Sequence, residues 1–178
     1  MIILGIDPGT ILTGFGIVHK NKNTIGYKTS GIIKPSATEE LSEKLKFIYT
    51  ELNKIIKKNN PDIFCIESAF YGKNVQSAMK IGYVRGIAML AAANHNLVVT
   101  EYSPREIKKA VVGNGAASKE QVQYMIFKLL NLKKQKLKYD ETDALAAALC
   151  YAVKSNPYTK TKNSWKDFVK NNPEKIIE

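Results

Sequence analysis

Apolar positions along the chain change period several times, and each change marks an element. Residues 2–7 are continuously apolar up to Asp7 and predict a buried strand. Thr13 to His19 alternates, and Ile25 to Ile33 follows the polar turn Lys20-Asn-Lys-Asn23. Joined by short turns, the three strands predict an antiparallel meander. After Pro35-Ser-Ala-Thr38, Leu41, Leu45, Ile48, Leu52 and Ile55 recur at helical spacing until Asn59-Asn60-Pro61 stops the helix. Asp62 to Ile66 reads as a buried fourth strand, Val75 to Asn94 as a long Ala-rich helix, and Leu97 to Thr100 as a short fifth strand. Ser103-Pro104 opens a brief helix, Gly113-Asn-Gly115 breaks the chain, and Ser118 caps a helix with Val122, Met125, Ile126 and Leu129 on one face. The lysine-rich turn from Lys133 to Lys138 leads into a last helix from Asp140. A meander followed by alternating helix and strand predicts an α/β fold: a mixed five-stranded sheet, antiparallel in its first three strands, with helices on both faces.

A chain of 178 residues, 44% hydrophobic and 24% charged, has the size and composition of one globular domain, expected over residues 1–156. After Pro157 the pattern fails, and residues 157–178 read as a polar, lysine-containing tail, partly disordered. No apolar run is long enough for a membrane span, and the N-terminus lacks the basic start of a signal peptide, so no membrane association is expected and the cytoplasm is the expected compartment. Cys65 and Cys150 lie in apolar runs and read as small core residues. The net charge of +11 points to a polyanionic partner. Because 25 of the 27 basic residues are lysines, among many Asn and Ile, part of that charge is what biased base composition would also produce.

Four carboxylates stand where apolar segments begin or end. Asp7 closes the first strand, Glu67 closes Ile63-Phe-Cys-Ile66, and Asp140 and Asp143 are one helical turn apart ahead of an apolar run to Val153. Each has an ordinary explanation by itself. Asp7-Pro-Gly is a turn sequence, Glu67 can pair with a lysine, and acids in a first helical turn favour its positive end, with a capping-box position among them. Together they are more informative, because the carboxyl ends of parallel strands and a buried helix start converge on one rim of an α/β sheet. Clustered carboxylates repel and need protons or hard cations, and such a set suits two metal ions about 4 Å apart. An acidic pocket on a basic chain predicts metal-assisted cutting of nucleic acid.

Asp7-Pro-Gly-Thr10 with Thr13-Gly14-Phe-Gly16, Glu67-Ser-Ala-Phe70 with Lys73-Asn74, Gly113-Asn-Gly115-Ala-Ala-Ser-Lys119-Glu-Gln121-Val122 and Asp140-Glu-Thr-Asp143-Ala-Leu-Ala resemble, in order and at natural spacing, the motifs of the RuvC family of Holliday junction resolvases. The resemblance runs from residue 2 to about 153. It implies a ribonuclease-H-like fold and a homodimer of the bacterial cytoplasm. It also implies nicking of paired, symmetric strands in four-way junction DNA during recombination and repair, with 5′-phosphate products. By the same resemblance Asp7, Glu67, Asp140 and Asp143 are ligands for two Mg2+ ions, with Mn2+ as a substitute, and a branch-migration helicase is a partner. Asp140 occupies a position where some members carry His, and Cys150-Tyr151 stands where histidines are familiar.

Phe70 and Tyr71 either pack beneath the site or stack on unpaired bases. The resemblance makes Phe70 the wedge at the junction centre, with Asn74 on the backbone nearby. Lys108 and Lys119 match family positions that contact phosphate, and Lys119 at a helix start adds to backbone amides that favour an anion. Arg85 either binds DNA or braces its helix. Three rival readings are weaker. A phosphotransferase with an Asp-Gly-Thr-type loop needs a larger second domain, a non-catalytic junction binder would not keep four acids, and an RNA-processing nuclease of the same fold would not need the Gly-rich lysine motif.

Overall fold

Five strands form one mixed sheet in the order β3-β2-β1-β4-β5. They are β1 (Ile2–Asp7), β2 (Thr13–Asn21), β3 (Thr24–Ile33), β4 (Ile63–Glu67) and β5 (Val98–Tyr102). In this computed structural model the described residues are 1–22, 24–68, 75–132 and 136–155. The first three strands pair antiparallel, whereas β1–β4 and β4–β5 are parallel. The predicted sheet is therefore the observed one. The fifth strand starts one residue later than its apolar residues imply and runs on through Glu101 and Tyr102. Parallel pairing carries it there: Tyr102 stands opposite Glu67 and accepts a 2.8 Å hydrogen bond from the Ser68 amide. The boundary between 157–178 and the domain lies outside the described residues.

Alternation in the strands divides the core in two. Leu4, Ile6, Ile17, Phe64 and Ile66 face α1 (Leu41–Asn59) and α2 (Val75–Asn94), while Ile3, Val18, Ile63, Cys65 and Tyr102 face α3 (Pro104–Val112), α4 (Lys119–Leu129) and α5 (Tyr139–Lys154). On α1 the fully buried positions Ile48 and Leu52 continue to Ile56, and Asn60, at a left-handed φ of 46°, ends the helix ahead of Pro61. α5 is the central helix. Its residues from Ala144 to Cys150 are all buried, as an apolar run without a polar face requires. Each Ile or Leu so removed from water contributes roughly 1.5–3 kcal/mol.

Close approach of α5 to the sheet depends on missing side chains. A Cβ on Gly5 would fall on the Ala144 carbonyl oxygen, and one on Gly14 would fall on the Asp140 carbonyl oxygen. Glycine in a strand costs stability, and here it lets a helix backbone rest directly on strand backbone. The Thr13-Gly14 pair thus sets how near the start of α5 can come to the end of β1.

Candidate active site

Asp7 and Glu67 are neighbours because of register and phase. β1 and β4 run parallel with Ile6 beside Ile66, so each acid is the next residue beyond a matched pair. Both follow Gly5 and Cys65 by two residues and so share the face covered by α5. After Asp7 the chain turns through Pro8 and Gly9, held by the fully buried Thr13, whose hydroxyl donates to the Gly9 carbonyl at 2.7 Å. The N-terminal turn of α5 comes down on this edge against Gly14. A cleft of about 360 Å³ results, with Asp7, Glu67, Asp143, Lys108 and Lys119 on its walls and Ile81, Ile107 and Val122 among its apolar lining.

Charge in the cleft is unbalanced. Burial pushes Asp7 up from 3.8 to about 8, with Asp143, Glu67 and Asp140 adding repulsion and Lys119 opposing them. Burial also raises Glu67, followed by Asp143, against the lowering influence of Lys119, Lys108 and Arg85. Asp143 is raised by burial although Lys119 stands 3.5 Å away and pulls it down. Lys119 is held above its ordinary value, first by Asp143. One lysine in contact with one of several acids leaves negative charge uncompensated, and a cation or protons must supply the difference.

The acids differ in position. Asp143 lines the cleft, one turn further along α5 than Asp140, which does not line it yet is felt electrostatically by Asp7, Lys119 and Asp143. The capping-box carboxylate of α5 belongs to Glu141, since the helix begins at Tyr139. Glu141 accepts from the Lys138 amide at 3.1 Å, so neither Asp140 nor Asp143 is spent on the cap. The Arg85 guanidinium pairs with Glu101, joining α2 to β5. Phe70, Tyr71 and Asn74 lie outside the described residues. Ser68, Tyr102, Thr13 and Glu141 bear on the site without having been picked out in the sequence. Thr13, Ser68 and Glu141 stood inside the motif segments there without a role of their own, and Tyr102 stood in none.

All cleft acids offer hard oxygen donors, the kind that magnesium or manganese takes. Among the described residues no three acidic, histidine or cysteine side chains already stand around one point at metal-ligand spacing. The donor set and its uncompensated charge fit a divalent cation, and taking one up requires the carboxylates to turn toward it.

Residues 3–151 match the family model for crossover junction endodeoxyribonuclease RuvC. A crossover junction endodeoxyribonuclease RuvC of Chloroherpeton thalassium is 41% identical over the whole of both chains. One of Alkaliphilus oremlandii is 46% identical over 88% of this chain and 95% of its own. Among solved structures, T. thermophilus RuvC in complex with a Holliday junction substrate superposes with a TM-score of 0.83 at 29% identity, covering 89% of this chain and 97% of that one.

Proposed function

The chain belongs to the RuvC family of crossover junction endodeoxyribonucleases, and from that premise we propose that its acidic cleft is the site at which four-way DNA junctions are cut. The protein is a Holliday junction resolvase, a metal-dependent nuclease of recombination and repair. The observation that carries the assignment of the site is the convergence of Asp7, Glu67 and Asp143, from two parallel strands and a helix start, on one cleft with Lys119. Asp7, Glu67, Asp140 and Asp143 would hold the cation, for which we propose Mg2+ in two copies, with Mn2+ able to replace it. When bound, such ions screen the carboxylates from an incoming phosphate and polarise the scissile bond.

The chain's own residues do the rest. Lys119 would be freed from Asp143 where a cation held that carboxylate, and its ammonium would offset the negative charge that grows on the phosphate. α4 starts at Lys119, and the free amides of a helix start favour the same anion. Lys108, from α3, binds an adjoining phosphate, and the apolar wall of Ile81, Ile107 and Val122 limits water around the reacting bond. Hydrolysis leaves a 5′-phosphate and a 3′-hydroxyl. Phe70, Tyr71 and Asn74 follow Glu67 in sequence and are proposed to engage the junction centre.

A homodimer is the proposed assembly. Val75, Met79, Tyr83 and Leu90 recur along one side of α2 and are exposed, an apolar stripe suited to a second copy of the same helix. Two-fold pairing would place two clefts on opposed strands of a junction that is itself nearly two-fold. A branch-migration helicase is proposed as a further partner on family grounds alone.

The test is cleavage of a synthetic mobile four-way junction beside linear duplex and a short RNA–DNA hybrid, with Mg2+ or with chelator. Paired nicks in the junction alone, lost on chelation, are expected. Cleavage of the hybrid in place of the junction would overturn the substrate.

A further inference from the structure

A hydrogen-bonded chain outside the cleft ties the edge strand β3 to the first turn of α5. Ser30 Oγ donates to Glu141 Oε1 at 2.9 Å, and Tyr27 Oη lies 3.1 Å from Ser30 Oγ. The second oxygen of Glu141 accepts from the Lys138 amide at 3.1 Å. Since Ser30 has one proton and gives it to Glu141, Tyr27 is the donor to Ser30. Glu141 stands between Asp140 and Asp143, so its carboxylate is fastened at both oxygens within the turn that carries two of the proposed cation ligands.

A backbone irregularity makes this chain possible. In a regular strand, residues three apart point to opposite faces. In β3 the pairing steps from Ile17–Thr29 to Val18–Tyr27, which leaves Lys28 as an extra residue. That bulge reverses the phase, so Tyr27 and Ser30 both face α5, while Lys28 reaches the Asn59 carbonyl at the end of α1 with its ammonium at 3.1 Å. Bulges commonly re-aim a side chain in this way. Ser30 is paired with Gly16, whose missing side chain gives room for Leu145 of α5 beside it.

We infer that Tyr27, Ser30 and Glu141 form a positioning device, which fixes the first turn of α5 so that Asp140 and Asp143 are presented to a cation. The inference rests on the proposed reading of the four acids as cation ligands. The three residues touch no reacting atom. They act through the turn they hold, and groups outside the ligand set commonly carry ten- to hundredfold of metal affinity.

The test measures Mn2+ binding to the DNA-free protein by calorimetry for wild type, Ser30→Ala, Glu141→Ala, Glu141→Gln and Asp7→Asn, with urea unfolding of each. Ser30→Ala and Glu141→Ala should weaken Mn2+ binding about tenfold. Glu141→Gln, which keeps one acceptor oxygen, should recover part of the loss. Unchanged Mn2+ affinity in Ser30→Ala and Glu141→Ala, with binding lost in Asp7→Asn, would overturn the inference and leave the ligand reading standing. Wild-type Mn2+ affinity in Asp7→Asn would sink the ligand reading and the inference with it. If Glu141→Ala does not fold, Ser30→Ala decides, because it leaves the helix cap in place.

Discussion

Replacing Asp7 by Asn should make the cation-free protein more stable while abolishing cleavage. Asp7 has an ordinary value of 3.8 and is pushed up to about 8 in the folded state. Between those values the native state retains a proton that the unfolded state has released, so stability falls as pH rises through that window. At 1.36 kcal/mol per unit, the carboxyl costs about 4 kcal/mol at pH 7 and about 2 kcal/mol at pH 5, and nothing below both values. Asn has the same shape and no charge to bury. With the other carboxylates relaxing in wild type, a gain of about 2–4 kcal/mol is expected at pH 7, or roughly 5–10 °C in Tm for a domain of this size. Thermal melts of both proteins in chelator at pH 4, 5 and 7 check this. A gain that is the same at every pH, or absent at pH 7, would refute the reasoning, because neither follows from a buried acid held in repulsive company.

Gly14→Ala would drive a methyl group into the Asp140 carbonyl, so a loss of about 1–3 kcal/mol in urea unfolding and weaker Mn2+ binding are expected. Lys119→Ala removes a charge that opposes cation uptake and later steadies the phosphate. Cleavage should drop about a hundredfold in single-turnover assays while Mn2+ binds at least as well as in wild type. Thr13→Val should cost about 1–3 kcal/mol, read by urea unfolding, through loss of the hydrogen bond that pins Gly9 behind Asp7.

How much was legible depended on whether a feature is local. The phase of Ile3-Leu-Gly-Ile-Asp7 and of Ile63-Phe-Cys-Ile-Glu67 fixes which face each acid takes, and α2 ends at Asn94 as its pattern predicts. Tyr102 was hidden because a polar stretch was carried into β5 by its neighbour strand. Glu141 was hidden by the exact start of the helix: with Tyr139 as its first residue, the third, capping-box position is Glu141 and neither aspartate. Ser30 gave no signal, since its partner lies 111 residues away and the bulge at Lys28 is a product of pairing. Arg85 allowed two readings in the sequence, and its pairing with Glu101 depends on β5, sixteen residues further on.

Anomalous diffraction from crystals soaked in Mn2+ tests the central claim most directly. Peaks between Asp7, Glu67 and Asp143 are predicted, with their number and any contact to Asp140 settling the count of ions and the role of that residue. A cleft without a peak at saturating Mn2+, in crystals of protein that still cuts junctions, would contradict it.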